Sequence, residues 1–120
     1  IMNKVINFEE KAKLFSDQWS PKVVAEMNDY QFKLSKLEGV FEWHKHDDTD
    51  EAFLVQSGEL TIELPDESVQ LKAGELFVVP KGVMHKPVAE KECTVMIIEP
   101  RGVINTGEVN EKTADNDVWI

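Results

Sequence analysis

Three histidines and one glutamate are the side chains best suited to chemistry, and they fall in two short blocks of the chain. His44, His46 and Glu51 lie in the first block, and His85 lies in the second. The 120-residue sequence contains no other histidine. Both blocks also carry strand-like apolar residues and turn glycines. The combination predicts one metal ion bound by three nitrogens and one oxygen inside a β-barrel.

The spacing of these residues indicates how they would meet. Residues i and i+2 of a strand point to the same face, so His44 and His46 are predicted to project together. Glu51 follows an acidic turn at the start of the returning strand, and His85 follows a rigid Pro-Lys-Gly turn. Imidazole suits Zn, Cu, Fe or Ni and a carboxylate suits Fe or Mn. The predicted cofactor is therefore a divalent transition metal with one or two open coordination positions.

Composition excludes several classes of function. The sequence is 42% hydrophobic and 30% charged, which is typical of one globular domain, here residues 1–120. A net charge of −10 argues against nucleic acid or an anionic membrane as a partner, because both require a basic surface. The apolar runs are too short to cross a bilayer. The one cysteine, Cys93, permits no internal disulfide, so we expect a cytoplasmic location.

Most of the sequence alternates with a period of two, which indicates β-strands. Strands are predicted from alternation or from apolar runs at residues 23–27, 30–37, 60–64, 76–79 and 94–98. The last two runs are dense in apolar residues and are predicted to be buried on both faces. Many short strands separated by turn signals favour an all-β barrel or sandwich over an α/β fold.

The two ends of the chain depart from this pattern. Residues 7–16 predict one short helix, for which Asn7 is a suitable N-cap. From residue 100 onward the periodicity fails. Residues 100–120 are therefore expected to form a polar tail, held in place by Trp119 and Ile120.

The two blocks resemble the two sequence motifs of the cupin superfamily. The first motif is His-x-His, a spacer, Glu, six residues and Gly, and the second is Gly, five residues, Pro-x-Gly, two residues and His. The matching residues are His44, His46, Glu51 and Gly58 for the first motif, and Gly74, Pro80, Gly82 and His85 for the second. Taken together the motifs are specific, although either alone would be weak.

Two positions depart from the family pattern. Four residues rather than five separate Gly39 from His44, and Ala89 occupies a position where the family often has Asn. Neither departure touches a ligand position, but Ala89 removes a possible hydrogen bond. The resemblance covers the motif core, residues 39–98, and is strongest to small microbial single-domain cupins without an assigned reaction.

The resemblance implies a jelly-roll barrel, the cupin-type double-stranded β-helix, with His44, His46, Glu51 and His85 as metal ligands. It also implies a homodimer and a small-molecule ligand. Dioxygenases, sugar or keto-acid isomerases and non-catalytic binders all occur on this fold, so the fold does not decide among them.

Other residues near the motifs have a structural and a functional interpretation. Glu42 shares the parity of the histidine ligands, which makes it a candidate second-sphere base. Phe41 and Trp43 alternate with the ligands and are expected to face away from the metal. Cys93 is interpreted as a small buried hydrophobe, and Arg101 as half of a surface ion pair.

Three functions stay open on the sequence alone. The leading hypothesis is a metal-dependent enzyme that acts on a small oxygen-rich molecule, as a dioxygenase or an isomerase. The second is a module that binds a small ligand without chemistry. The third is a metal site that supports the structure of a dimer.

Overall fold

The structure, a computed structural model, describes residues 4–120 and consists mainly of antiparallel strands. The elements follow the chain in the order α1 Phe8–Ala12, β1 Lys22–Met27, β2 Tyr30–Val40, β3 Glu51–Ser57, β4 Glu59–Glu63, β5 Ser68–Lys72, β6 Leu76–Val79 and β7 Lys86–Pro100. Within the described residues, no helix is long and apolar enough to span a membrane. The predicted all-β class is confirmed.

The long strand β7 joins two parts of the sheet. Five strands run in the order β1-β2-β7-β3-β6, and the β4–β5 hairpin joins them where β4 pairs with β7. The first residues of β7 pair with β4, and its last residues pair with β3. Inward-facing side chains from both parts pack in one core, which includes Leu37, Phe53, Leu60, Ile62, Leu71, Val79 and Val95. The sheet therefore curls into a barrel around this core.

The N-terminal helix forms as predicted but is shorter than residues 7–16. The Asn7 side chain accepts a hydrogen bond from the Glu10 N–H at 2.9 Å, so the predicted N-cap is confirmed. The helix nevertheless ends at Ala12 and buries no residue. A helix extends beyond such a length only where packing against the rest of the protein stabilises it. After Ala12 the chain turns onto the sheet, where the Lys36 ammonium donates to the Phe15 carbonyl at 2.6 Å.

The run at residues 76–79 forms strand β6, but its predicted burial on both faces is wrong. The side chains of Leu76 and Val78 are 58% and 45% exposed, whereas Val79 is buried. β6 is an edge strand that pairs with β3, and its outer face lacks a covering layer in the described chain. Apolar density alone predicted burial, although burial also requires that another layer lies above the strand.

The tail beyond β7 is irregular, as predicted, and its last residues hold it against β1. The Val23 N–H donates to the Val118 carbonyl at 2.7 Å, and the Ile120 N–H donates to the Val23 carbonyl at 3.1 Å. Trp119 forms an isolated bridge with Val23. The Lys11 ammonium also donates to the Ile120 carbonyl at 2.9 Å. The expectation that Trp119 and Ile120 fix the tail is confirmed.

Two single-residue interpretations are also confirmed. Cys93 is buried in the core, and burial raises the pKa of its thiol to about 11, so it is protonated and unreactive at neutral pH. Arg101 donates from Nε to the Glu26 carboxylate at 2.9 Å on the surface.

The tight turn between β3 and β4 provides a test of the packing. Gly58 has φ +81°, and a Cβ there would lie 2.9 Å from the Cβ of Cys93. We expect Gly58→Ala to lower the free energy of unfolding by about 2–4 kcal/mol, because backbone strain and overpacking both contribute. Gly74 is the matched control, since its φ is +88° with open space around it. Gly74→Ala should cost only about 1–2 kcal/mol from backbone strain. Equal losses of unfolding free energy for the two variants, measured by urea-induced unfolding, would show that contact with Cys93 adds nothing.

Candidate metal centre

Main-chain hydrogen bonds bring the two sequence blocks together. The first block leaves β2 and enters β3 at Glu51, and the second spans β6 and ends with His85 before β7. His44 and His85 form an isolated antiparallel bridge. The His44 N–H donates to the His85 carbonyl at 3.0 Å, and the reverse bond measures 2.8 Å. The Gly82 N–H donates to the His46 carbonyl at 2.8 Å. Backbone hydrogen bonds thus join the two blocks directly.

The four predicted ligand residues meet in one buried cluster. One potential ligand atom from each of His44, His46, Glu51 and His85 lies within 4.8 Å of all the others. The Nε2 of His85 is 3.2 Å from Oε1 of Glu51, and the Nε2 of His46 is 3.3 Å from the same oxygen. All four residues are buried. The group proposed from sequence spacing can therefore hold a metal ion.

Backbone carbonyls orient two of the imidazole rings. The Nδ1 of His44 lies 2.9 Å from the Glu42 carbonyl, and the Nδ1 of His85 lies 2.9 Å from the Val83 carbonyl. A carbonyl only accepts, so in each ring Nδ1 carries the proton and donates. In a neutral ring, Nε2 then carries the lone pair. Both rings are held in the tautomer that a metal ligand requires.

The donor atoms fit a divalent cation. The buried Nε2 of His46 has no hydrogen-bond partner among residues 4–120. With Nδ1 of His85 donating to Val83, the lone pair of its Nε2 faces a carboxylate oxygen of Glu51. Two lone pairs repel unless a proton or a cation lies between them. Three imidazoles and one carboxylate are also a ligand set that first-row divalent metals accept.

Protonation of the cluster favours metal binding as well. Burial, followed by the charge of His85, lowers the pKa of His44 to about 4, so its ring is neutral at neutral pH. Burial opposes ionisation of Glu51, but the neighbouring His46 and His85 imidazoles outweigh it and lower the pKa of this carboxyl. Neutral imidazole and ionised carboxylate are the forms that bind metal ions.

The expectation that Phe41 faces away from the site is wrong. Phe41 is buried and meets the His44 ring edge-on, with ring centroids 5.4 Å apart. It also stacks on Trp19 at 4.8 Å. Strict strand alternation does not continue to the ligands, because β2 ends at Val40. Trp43 does lie on the surface, where Lys86 sits 5.5 Å from its ring centroid.

Glu42 contacts the cluster through its backbone carbonyl, whereas its carboxylate points to the tail. Its carbonyl accepts from the His44 ring, while its carboxylate accepts from the Asn110 side chain at 2.8 Å. The carboxylate is also outside the four-residue cluster. The structure therefore gives no support to Glu42 as a second-sphere base.

The C-terminal tail packs against the segment that carries the ligands. A Cβ at Gly107 would overlap the carbonyl oxygen of Lys45, the residue between two of the histidines. The Asn105 amide donates to the Trp19 carbonyl at 3.3 Å. The tail is thus part of the wall around the site, a role that its irregular sequence did not predict.

A small cavity adjoins the cluster on the barrel side. It is lined mainly by apolar residues and also by His44, Glu51, Ser35, Glu99 and Asn105. Its volume for the centres of water molecules is about 30 Å³, about twice what one water needs. His44 and Glu51 therefore face a space for about two water molecules on one side, as a site with an open coordination position would.

Sequence reasoning missed Lys33 and Glu99, which are both fully buried beside the cluster. Their charged groups form an ion pair with Nζ 2.9 Å from Oε2. Burial, followed by the charge of Glu51, raises the pKa of Glu99. The only signal was the alternation of β2, whose polar face normally indicates solvent. Both faces of this strand are covered, so its polar face lies inside the barrel instead.

The depressed pKa of His44 predicts how the metal-free protein responds to acid. The unfolded chain binds a proton below the ordinary value of 6.5, whereas folded His44 does so only near pH 4. His44 thus contributes stability that is complete above pH 6.5 and is lost as the pH falls toward 4. Imidazole titration followed by NMR should show one ring with a pKa near 4. The signal of that ring should be absent in His44→Gln. Three rings that titrate near pH 6.5 in the wild type would contradict a lowered pKa of His44.

Comparisons with known proteins agree with this architecture. The Cupin domain family matches residues 32–99, which include the whole cluster. A cupin-2 domain containing protein from Shewanella frigidimarina is 61% identical, with a TM-score of 0.80, over 81% of this chain and 95% of that one. Protein NMB1881 from Neisseria meningitidis is 31% identical, with a TM-score of 0.74, over 81% and 99% of the two chains. The uncharacterized protein YdbB from Bacillus subtilis is 32% identical over 109 residues, 82% of this chain and 96% of YdbB. The chain belongs to the cupin family.

Proposed function

We propose that the chain binds a divalent transition metal through His44, His46, Glu51 and His85 and acts with it on a small oxygen-rich molecule. The observation that supports this is the convergence of three nitrogens and one oxygen within 4.8 Å. Fe, Mn, Zn, Ni and Cu all accept such a ligand set. Within this proposal the reaction is of the dioxygenase or the isomerase type.

The residues around the cluster have distinct parts in this proposal. The metal, when bound, would supply Lewis acidity toward a substrate oxygen, or redox chemistry if it is iron. Phe41, Trp19 and Phe53 line the apolar part of the cavity and would contact the body of the substrate. Ser35 and Asn105 supply polar groups in the same wall.

The cavity also bears on the two alternatives. A structural metal site is closed on all sides, whereas a catalytic or ligand-binding site keeps an open position. His44 and Glu51 border the cavity directly, which favours contact with a ligand over a purely structural role. A binding module without chemistry uses the same geometry, so turnover is what separates it from an enzyme.

Removal of one ligand tests the proposed metal site. His46→Ala should lower metal affinity by more than about 100-fold, since even residues outside the ligand set change affinity by about 10–100-fold. Turnover should be lost with the metal. Elemental analysis of protein purified without added metal checks the first result, and assays on diketones, thiols, phenols and sugars check the second.

The matched control is Lys45→Ala, because Lys45 lies between the two histidines but is exposed and pairs with Asp47 on the surface. It should keep metal and activity. Equal metal content in His46→Ala and the wild type would refute the metal site. A metal-replete protein that binds ligands without turnover would favour the binding module. An unchanged melting temperature and oligomeric state after metal removal would exclude the structural role.

We also propose that the chain associates with a second copy through the outer face of β6. Leu76 and Val78 are exposed there beside Leu54 and Ala52 of β3, their partners in register. An open apolar sheet edge is the kind of surface that a homodimer covers.

Sedimentation equilibrium should show a dimer for the wild type and a monomer for Leu76→Lys. Val109→Lys is the control, because Val109 is exposed in the tail. A monomeric wild type would refute the dimer.

A further inference from the structure

Trp19 has a backbone conformation that its side chain disfavours. Its φ is +57°, a value that bulky residues rarely adopt. Among residues 4–120, the other non-glycine residue with a positive φ is Asn28, which lies in the turn between β1 and β2. Asparagine is common in such turns because it tolerates the left-handed region. Trp19 lies between α1 and β1 instead, so turn formation does not account for its conformation.

Three hydrogen bonds hold Trp19 in this conformation. Its backbone N–H donates to the Lys36 carbonyl at 2.9 Å, and its indole Nε1 donates to the Glu38 carbonyl at 3.0 Å. Its own carbonyl accepts from the Asn105 amide at 3.3 Å. A strained residue persists only where its surroundings determine its conformation, and such residues cluster at functional sites. The indole ring is therefore held at one place on the barrel wall.

The Trp19 ring lies at the boundary between the cavity beside the ligand cluster and the outer surface. Trp19 and Phe41 both line the cavity. Both also line a surface groove of about 370 Å³ between the segment before β1 and the tail. No other residue in the described chain lines both spaces. The two rings stack with centroids 4.8 Å apart and an angle of 11° between their planes, so together they form a common wall.

Trp19 is the outer ring of this wall. Phe41 is buried and meets the His44 ring edge-on. Trp19 is half-buried, and it packs against the barrel core while it also borders the groove. A ligand group that extends from the cluster toward the groove therefore has to pass both rings. Removal of the indole should join the groove to the cavity.

We propose that Trp19 is a specificity-determining residue: its indole ring closes the cavity toward the groove and excludes ligands that carry a bulky group on that side. The proposal rests on the proposed metal site. The closed wall favours a ligand with a short aliphatic group over one with an aromatic group at the same position. The substrate class that follows is a small aliphatic oxygen compound.

Two hydroxamates of different size test the proposal on Co²⁺-loaded protein without any turnover. Acetohydroxamate and benzohydroxamate bind metal ions through the same two oxygens, but one carries a methyl and the other a phenyl group. The visible absorption of bound Co²⁺ measures both affinities. The wild type should bind acetohydroxamate more tightly. Trp19→Ala should raise the affinity for benzohydroxamate by about 10–200-fold, the range over which apolar pockets discriminate, and leave that for acetohydroxamate nearly unchanged.

Trp43→Ala is the matched control, because Trp43 is exposed and lines a different groove that also borders His44. It should leave the ratio of the two affinities at the wild-type value. Trp19→Phe should stay near that value as well, since a phenyl ring can still stack on Phe41. If Trp19→Ala does not fold, Trp19→Gly replaces it, because glycine adopts a positive φ without strain.

An unchanged affinity ratio in the tested Trp19 variant would overturn the proposal and leave Trp19 with a role in packing alone. An equal gain for both hydroxamates would also overturn it, because that result indicates a loosened site. A larger change of the ratio in Trp43→Ala would overturn it by placing ligand access at the other groove. Failure of the metal site itself looks different. In that case the wild type takes up no Co²⁺, or His46→Ala binds it equally well.

Discussion

The backbone bridge between His44 and His85 is the constraint on which the site depends. Both residues lie outside the long strands, so no regular sheet fixes their positions. Two main-chain hydrogen bonds do this instead. Each ring then donates to the carbonyl two residues before it in the chain. Position and tautomer are thus set by the backbone, and the cluster is organised before any ligand binds.

The barrel interior divides into two regions with different energetics. One end is an apolar core, where burial of side chains such as Leu60 and Ile62 stabilises the fold. The other end holds the ligand cluster together with Lys33 and Glu99, whose burial carries a desolvation cost. The apolar end offsets this cost. A chain of this size can therefore keep a charged interior beside its candidate metal site.

The sequence predicted the strands and the ligand cluster because both depend on local patterns. Residue spacing was enough to bring His44, His46, Glu51 and His85 together. Two of the failures have a common origin, since each required knowledge of what covers the face of a strand. Lys33 is interior because its side chain lies on the inner face of the curled sheet, whereas Leu76 is exposed because nothing in the described chain covers the outer face of β6. The prediction for Phe41 was wrong for another reason: β2 ends at Val40, so strand alternation does not reach Phe41.

The close approach of Gly107 to Lys45 couples the tail mechanically to the ligand segment. Only a residue without a side chain allows the tail to lie against that carbonyl. The tail is anchored at its far end on Val23, so it cannot withdraw as a free strand would. A movement of the tail would therefore displace the segment between His44 and His46. Through Asn105, the same movement would also alter the wall of the cavity.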